Sequence, residues 1–252
     1  MKRLIVRIDD LGMSEGVNLG CLAALRKGTA KSVGLMVNLD AAAQAVEMLE
    51  AIEHVCLGVH INLVEGRPCS SENEVRDLLQ ENGLFITHDE RRTLIRSGVD
   101  TYDYPATKVE VEAQVKEFIR LTGKTPDYMD IHCSPTHALE RAMMEVAEQY
   151  GIRMVADLAP MPWRVIGRNP SQYTFYESGR PPVEYLKEQA MHLDEGETGL
   201  LVMHPAFLDN HLVANSGLTY ERMSDYDLVM SDEMCQYAEN EGISFISFND
   251  LD

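Results

Sequence analysis

Aliphatic and polar positions alternate along this chain in short blocks. The first block, Leu4 to Ile8, reads LIVRI and predicts a buried strand over 4–8. Ser14 then stands as an N-cap. Val17, Cys21 and Leu25 recur at helical spacing as far as Gly28, which predicts a helix closed by glycine. Further strands are expected over 32–37, 55–63, 128–131, 152–155, 198–203 and 243–247, and further helices over 40–53, 183–193 and 219–240. Thr107 with Glu110 reads as a capping box, opening a helix that ends at Gly123. Ser134 as N-cap and Pro135 at the first helical position open another, which carries Leu139, Met143, Val146 and Tyr150 on its apolar stripe and closes at Gly151.

Two stretches interrupt the rhythm. Over 64–105 the periodicity weakens and charge rises, as in an insertion of short helical pieces serving as a lid or dimer arm. The stretch 156–182 is rich in proline and reads as irregular, and 205–218 reads as a loop. Repeated strand–helix alternation implies parallel strands with right-handed crossovers, hence an α/β fold. No linker or internal repeat divides it, so a single domain over 1–252 is expected.

Composition narrows the partners. With 252 residues and 45% hydrophobic content the chain can fill one full core. A formal net charge of −19 argues against nucleic acid and anionic membranes, both of which need a basic footprint. The five cysteines are odd in number and lack paired spacing, which fits a reducing cytosol. Lys2-Arg3 runs straight into a strand with no apolar leader, and no apolar run approaches the ~18 residues of a membrane span. A cytoplasmic protein is expected.

The candidate chemistry falls at strand ends. Asp9 and Asp10 follow the first strand, His60 lies late in CLGVHINL, His132 follows DYMDI and His204 follows GLLVM. In parallel α/β folds residues at that edge converge in space. Each has a plain structural reading. Paired aspartates suit a solvated turn, His60 and His132 suit packed histidines, and His204 before Pro205 suits a strand terminus. Taken together, two imidazoles and a carboxylate form a divalent-metal set with open positions. Asp10, His60 and His132 are the candidate ligands. Asp9 is then the candidate general base and His204 the candidate acid. Cys133 points to the strand face opposite His132 and Ser134 reads as a cap. His137 falls in the first turn of its helix and reads as facing solvent, while His54, His88, His192 and His211 have no supporting context and read as structural or surface.

At these residues the sequence resembles the YdjC-like carbohydrate deacetylases, which include the chitooligosaccharide deacetylases. RIDDLGMSEGVNLG, LGVHINLVEGRP, GKTPDYMDIHCSP and VMHPAFLDN occur in that order and span most of the chain. The resemblance implies a distorted TIM-like barrel of mostly parallel strands. It implies one divalent ion, magnesium or zinc, held by Asp10, His60 and His132. It also implies Asp9 as base, His204 as acid or oxyanion partner, and a homodimer. The implied activity is removal of an N-acetyl group from an amino sugar or short chitooligosaccharide. Two departures stand out: members usually carry Asn-Ala before the paired aspartates where this chain has Arg7-Ile8, and the third motif lacks the usual alternating histidines after His132.

Glu65, Arg67 and Trp163 are the candidate substrate-binding residues, with Tyr173, Phe175 and Tyr176 as further rings for sugar stacking. A metal-dependent phosphoesterase or other amidohydrolase is the rival enzyme reading, for which Arg7 and Arg67 are the candidate phosphate contacts. A metal-containing sugar-binding protein without catalysis is the rival outside enzymes.

Overall fold

The computed structural model describes residues 1–168 and 193–251. Its elements run β1 (Lys2–Leu11), α1 (Glu15–Lys27), β2 (Ser32–Leu35), α2 (Ala42–Leu49), β3 (Cys56–Ile61), α3 (His88–Arg96), α4 (Tyr104–Thr122), β4 (Tyr128–Ile131), α5 (His137–Tyr150), β5 (Arg153–Met154), β6 (Arg164–Arg168), β7 (Thr198–Met203), α6 (Asn210–Asn215), α7 (Tyr220–Met230), α8 (Asp232–Asn240) and β8 (Ile243–Ile246). The strands form one sheet in the order β5-β4-β3-β2-β1-β7-β6, and every named strand pair is parallel. β1 is the longest strand and has three partners. β7 lines one edge from Arg3 to Ile8, while β8 covers Lys2 to Ile5 on the other and β2 takes over from Arg7.

Alternation along β1 separates two cores. Leu4, Val6 and Ile8 point to the side where α1 contributes Val17, Cys21, Leu22 and Leu25. Ile5 points inward, to a smaller cluster of Tyr128, Val155, Trp163, Leu200, Val202 and Phe248. That inner cluster draws on Val155 beside β5 and Trp163 beside β6, at opposite ends of the strand order. The sheet therefore curls around it, giving the distorted barrel of parallel strands that the family resemblance implied.

Local chemistry explains where the elements differ from expectation. α4 starts before Thr107 because the Asp103 side chain accepts from Ala106 N at 3.0 Å and Pro105 fits the first turn. Thr107 and Glu110 are instead buried within the helix. Thr136, not Ser134, caps α5, accepting from Leu139 N at 3.3 Å. The proline-rich stretch hides β6, and Asp209 caps an unexpected α6 in the presumed loop. The single helix expected over 219–240 is two, because Ser231 ends α7 and its side chain accepts from Glu233 N and Met234 N to start α8. The helix expected over 183–193, apart from Leu193, and the rings of Tyr173, Phe175 and Tyr176 lie outside the described residues.

The insertion over 64–105 holds a short 3-10 turn, Arg76–Leu78, and α3. Buried Arg91 holds it together, donating to Leu78 O at 3.1 Å and Thr101 O at 2.8 Å within it and to Leu63 O at 3.3 Å just before it. No helix among the described residues is long and apolar enough to cross a membrane.

Candidate active site

Neighbours on a regular strand point to opposite faces, so adjacent aspartates should not share a site. Backbone geometry at the end of β1 removes that obstacle. Asp10 has a left-handed φ of 70°, and the register against β2 shifts between Ile8 and Leu11. A non-glycine residue held there stores roughly 1–3 kcal/mol of strain, a feature concentrated at functional sites. Gly12 completes the turn with φ 94°, where a Cβ would stand 2.6 Å from Met36 O. Both carboxylates are buried, and both lie against His60.

Asp10, His60 and His132 offer ligand atoms that all lie within 4.8 Å of one another. Asp10 Oδ1 is 2.8 Å from His132 Nδ1 and 3.2 Å from His60 Nε2. Gly34 on β2 leaves room for the His60 ring, since a Cβ there would sit 3.0 Å from His60 Cβ. Arg222 Nη2, from α7, donates to the other oxygen, Asp10 Oδ2, at 2.7 Å. Burial opposes the Asp10 charge, but His132 and Arg222 outweigh it and hold the carboxyl well below its ordinary range. The buried His60 Nε2 makes no hydrogen bond of good geometry, although Asp10 Oδ1 lies 3.2 Å away. His60 Nδ1 is instead 3.0 Å from Asp130 Oδ2, an outer carboxylate that fixes the ring and leaves Nε2 facing Asp10. A buried imidazole nitrogen turned toward a carboxylate and a second imidazole is the donor set a divalent ion requires.

Asp9 is held differently. Arg7 Nη2 donates to Asp9 Oδ2 at 2.6 Å, while Asp9 Oδ1 is buried without a partner. Burial pushes its carboxyl up to about 6, against the pull of Arg7 and His60. His204 stands at the end of β7, with Nε2 3.9 Å from Asp9 Oδ2 and its backbone N donating to Asp225 Oδ2 at 2.8 Å. Burial drives the His204 imidazole down to about 3, which keeps it neutral.

The chain matches the family described as YdjC-like protein over residues 3–240. It belongs to that family. A carbohydrate deacetylase of Thermoanaerobacter pseudethanolicus is 29% identical, with 100% of each chain covered. A chitooligosaccharide deacetylase of Citrobacter koseri is 27% identical, with 98% of each covered. A crystal structure described as a candidate cellobiose-phosphate cleavage protein of Enterococcus faecalis V583 superposes with a TM-score of 0.82 at 21% identity, covering 98% of both chains.

Within this YdjC-like chain each substrate candidate has a partner of its own. Glu65 Oε1 pairs with His211 Nε2 at 2.8 Å. Arg67 Nη1 pairs with Glu72 at 2.8 Å, its side chain 59% exposed. Trp163 is 8% exposed and packs against Phe248 at 5.3 Å between ring centroids, so its ring serves the inner core rather than a ligand. His88, read from sequence as structural or surface, places Nδ1 3.0 Å from Ser134 Oγ. Its imidazole is also close enough to His132 to be lowered by it, after burial. Arg222, Asp225 and Asp130 escaped the sequence reading. For Asp130 a signal existed: it stands two residues before His132 on β4, a spacing that shares a strand face. Arg222 and Asp225 lie three residues apart on the buried side of α7.

Proposed function

We propose that this protein is a metal-dependent carbohydrate deacetylase that removes N-acetyl groups from amino sugars or short chitooligosaccharides. One observation carries the reading: the Asp10–His60–His132 set lies beside a second buried carboxylate, Asp9, whose Oδ1 has no partner. The names of the relatives support the substrate class. A divalent ion held by Asp10, His60 and His132 would polarise the acetyl carbonyl and make water acidic enough to attack at neutral pH. Two imidazoles favour zinc over magnesium.

The chain's own groups handle the protons. Asp9 Oδ1 takes a proton from the attacking water. Its Oδ2 stays on Arg7, so the carboxylate cannot turn away. His204 rests neutral, with Nε2 facing Asp9 across 3.9 Å. It therefore holds no extra proton beforehand, so the proton that Asp9 takes from the water is the one that must reach the departing amine. The bond lost is the amide C–N bond, and acetate and a free amine leave. A phosphoesterase is disfavoured because its two candidate cations are committed elsewhere, Arg7 to Asp9 and Asp130, and Arg67 to Glu72. Five free cysteines fit the cytosol as the place of action, and a homodimer is the form we propose.

Acetate release from N,N′-diacetylchitobiose tests the reading. The expected result is release that stops on chelation and returns with zinc or magnesium. No release from protein shown to hold metal would remove this substrate class.

A further inference from the structure

Beneath the ligand set lies a second group able to hold a cation. Asp9, His60 and Asp130 are all buried, and their ligand atoms also lie within 4.8 Å of one another. The two sets share His60. In this second set a side chain already supplies positive charge. Arg7 Nη2 is 2.6 Å from Asp9 Oδ2, and Arg7 Nη1 is 3.0 Å from Asp130 Oδ2. Its guanidinium reaches both carboxylates from β1 while Ile5, two residues earlier on the same face, packs in the apolar inner cluster. A planar fork suits this task, since one guanidinium can satisfy two carboxylates in fixed directions. Burial opposes its charge, but Asp130 and Asp9 keep Arg7 protonated.

We infer that Arg7 is a resident cation that keeps the inner set free of metal, and so confines the divalent ion to Asp10, His60 and His132. This rests on the reading that those three residues hold the ion. The geometry gives Arg7 two consequences as a positioning residue. Asp9 remains a base instead of becoming a ligand, because Nη2 holds its Oδ2 and fixes the carboxylate while Oδ1 stays free to take a proton. His60 Nδ1 keeps its contact to Asp130 at 3.0 Å, so only Nε2 is available to the ion. Without Arg7 the inner set would present two carboxylates and an imidazole nitrogen with no compensating charge, the chemistry of a second divalent site.

Metal counting tests this without reference to turnover. Protein stripped by chelation is loaded with excess Zn2+, passed through gel filtration and analysed for retained zinc. The wild type should retain one ion per chain, Arg7→Met two, and Arg7→Lys, which restores a cation, one. Arg7→Gln is a second neutral variant should Arg7→Met fail to fold, and it too should retain two. Two ions in the wild type would overturn the inference, as would a single ion in a folded neutral variant. His132→Ala reads the underlying assignment separately, because it should lose the wild-type ion. A wild type that retains none would overturn that assignment and the inference with it.

Discussion

Arg222 donates to Asp10 Oδ2 at 2.7 Å from a helix more than two hundred residues away in sequence, and so turns Asp10 Oδ1 toward His60 and His132. A carboxylate oriented by its second oxygen is a better ligand than one free to rotate. Outer contacts of this kind typically contribute 10–100-fold to metal affinity. Arg222→Met should therefore weaken zinc binding by about that factor, measured by competition with a chromophoric chelator. Unchanged affinity would show that the contact is incidental.

The insertion has its own anchor. Arg91 satisfies three backbone carbonyls from a buried position and stacks 4.2 Å from the Tyr102 ring centre. Arg91→Met removes the donor from Leu63 O and Thr101 O, while Leu78 O keeps the Ile86 backbone N–H. The expected loss is roughly 3 kcal/mol, or a fall on the order of 10 °C in melting temperature. A shift below about 2 °C in thermal unfolding would mean that the insertion is held by other contacts.

Much of this arrangement was legible in the chain. Asp9, Asp10, His60, His132 and His204 all fall at ends of strands that hydrophobic runs reveal, and Gly28, Gly123 and Gly151 close helices in left-handed conformations as their positions suggested. The strand-end rule then brings distant residues together. What resisted reading depends on long-range packing. Arg7 in LIVRI is an oddity in an aliphatic strand, but only the fold shows that Asp130 comes to meet it. Nothing local in YERMSDYD says that Arg222 and Asp225 face the site. Gly12 marks the turn after β1, but nothing local says that Asp10 itself takes the left-handed conformation. The caps were misplaced by a few residues, since Asp103 rather than Thr107 and Thr136 rather than Ser134 accept the first-turn N–H groups.

Acid stability should depend in part on Glu145. A hydrogen bond from Lys108 at 2.7 Å, helped by Tyr104, pulls its carboxyl down to about 2 from an ordinary 4.5. The folded value lies below the unfolded one, so the contact stabilises the fold above about pH 4.5. That contribution is lost as pH falls toward 2. Glu145→Gln should flatten the pH dependence of the melting temperature across this window and leave it unchanged in shape above pH 5. The effect is small, because the pair is partly exposed.

Catalysis should show a different acid limb. Asp9 can accept a proton only when ionised, and burial raises its carboxyl to about 6. The rate should be flat above that value and fall tenfold per pH unit below it. A kcat/KM profile flat down to pH 4.5, in protein shown to stay folded and metal-loaded, would contradict the assignment of Asp9 as base.

Asp9→Asn separates catalysis from metal binding most directly. The substitution preserves shape and removes the basic oxygen that lacks a partner, Oδ1, while Asp10, His60 and His132 remain. Retained zinc and acetate release from N,N′-diacetylchitobiose would be measured on the same preparation. The predicted result is an unchanged metal content with turnover reduced about 10²–10⁴-fold. Turnover equal to the wild type in a metal-replete Asp9→Asn protein would contradict the account.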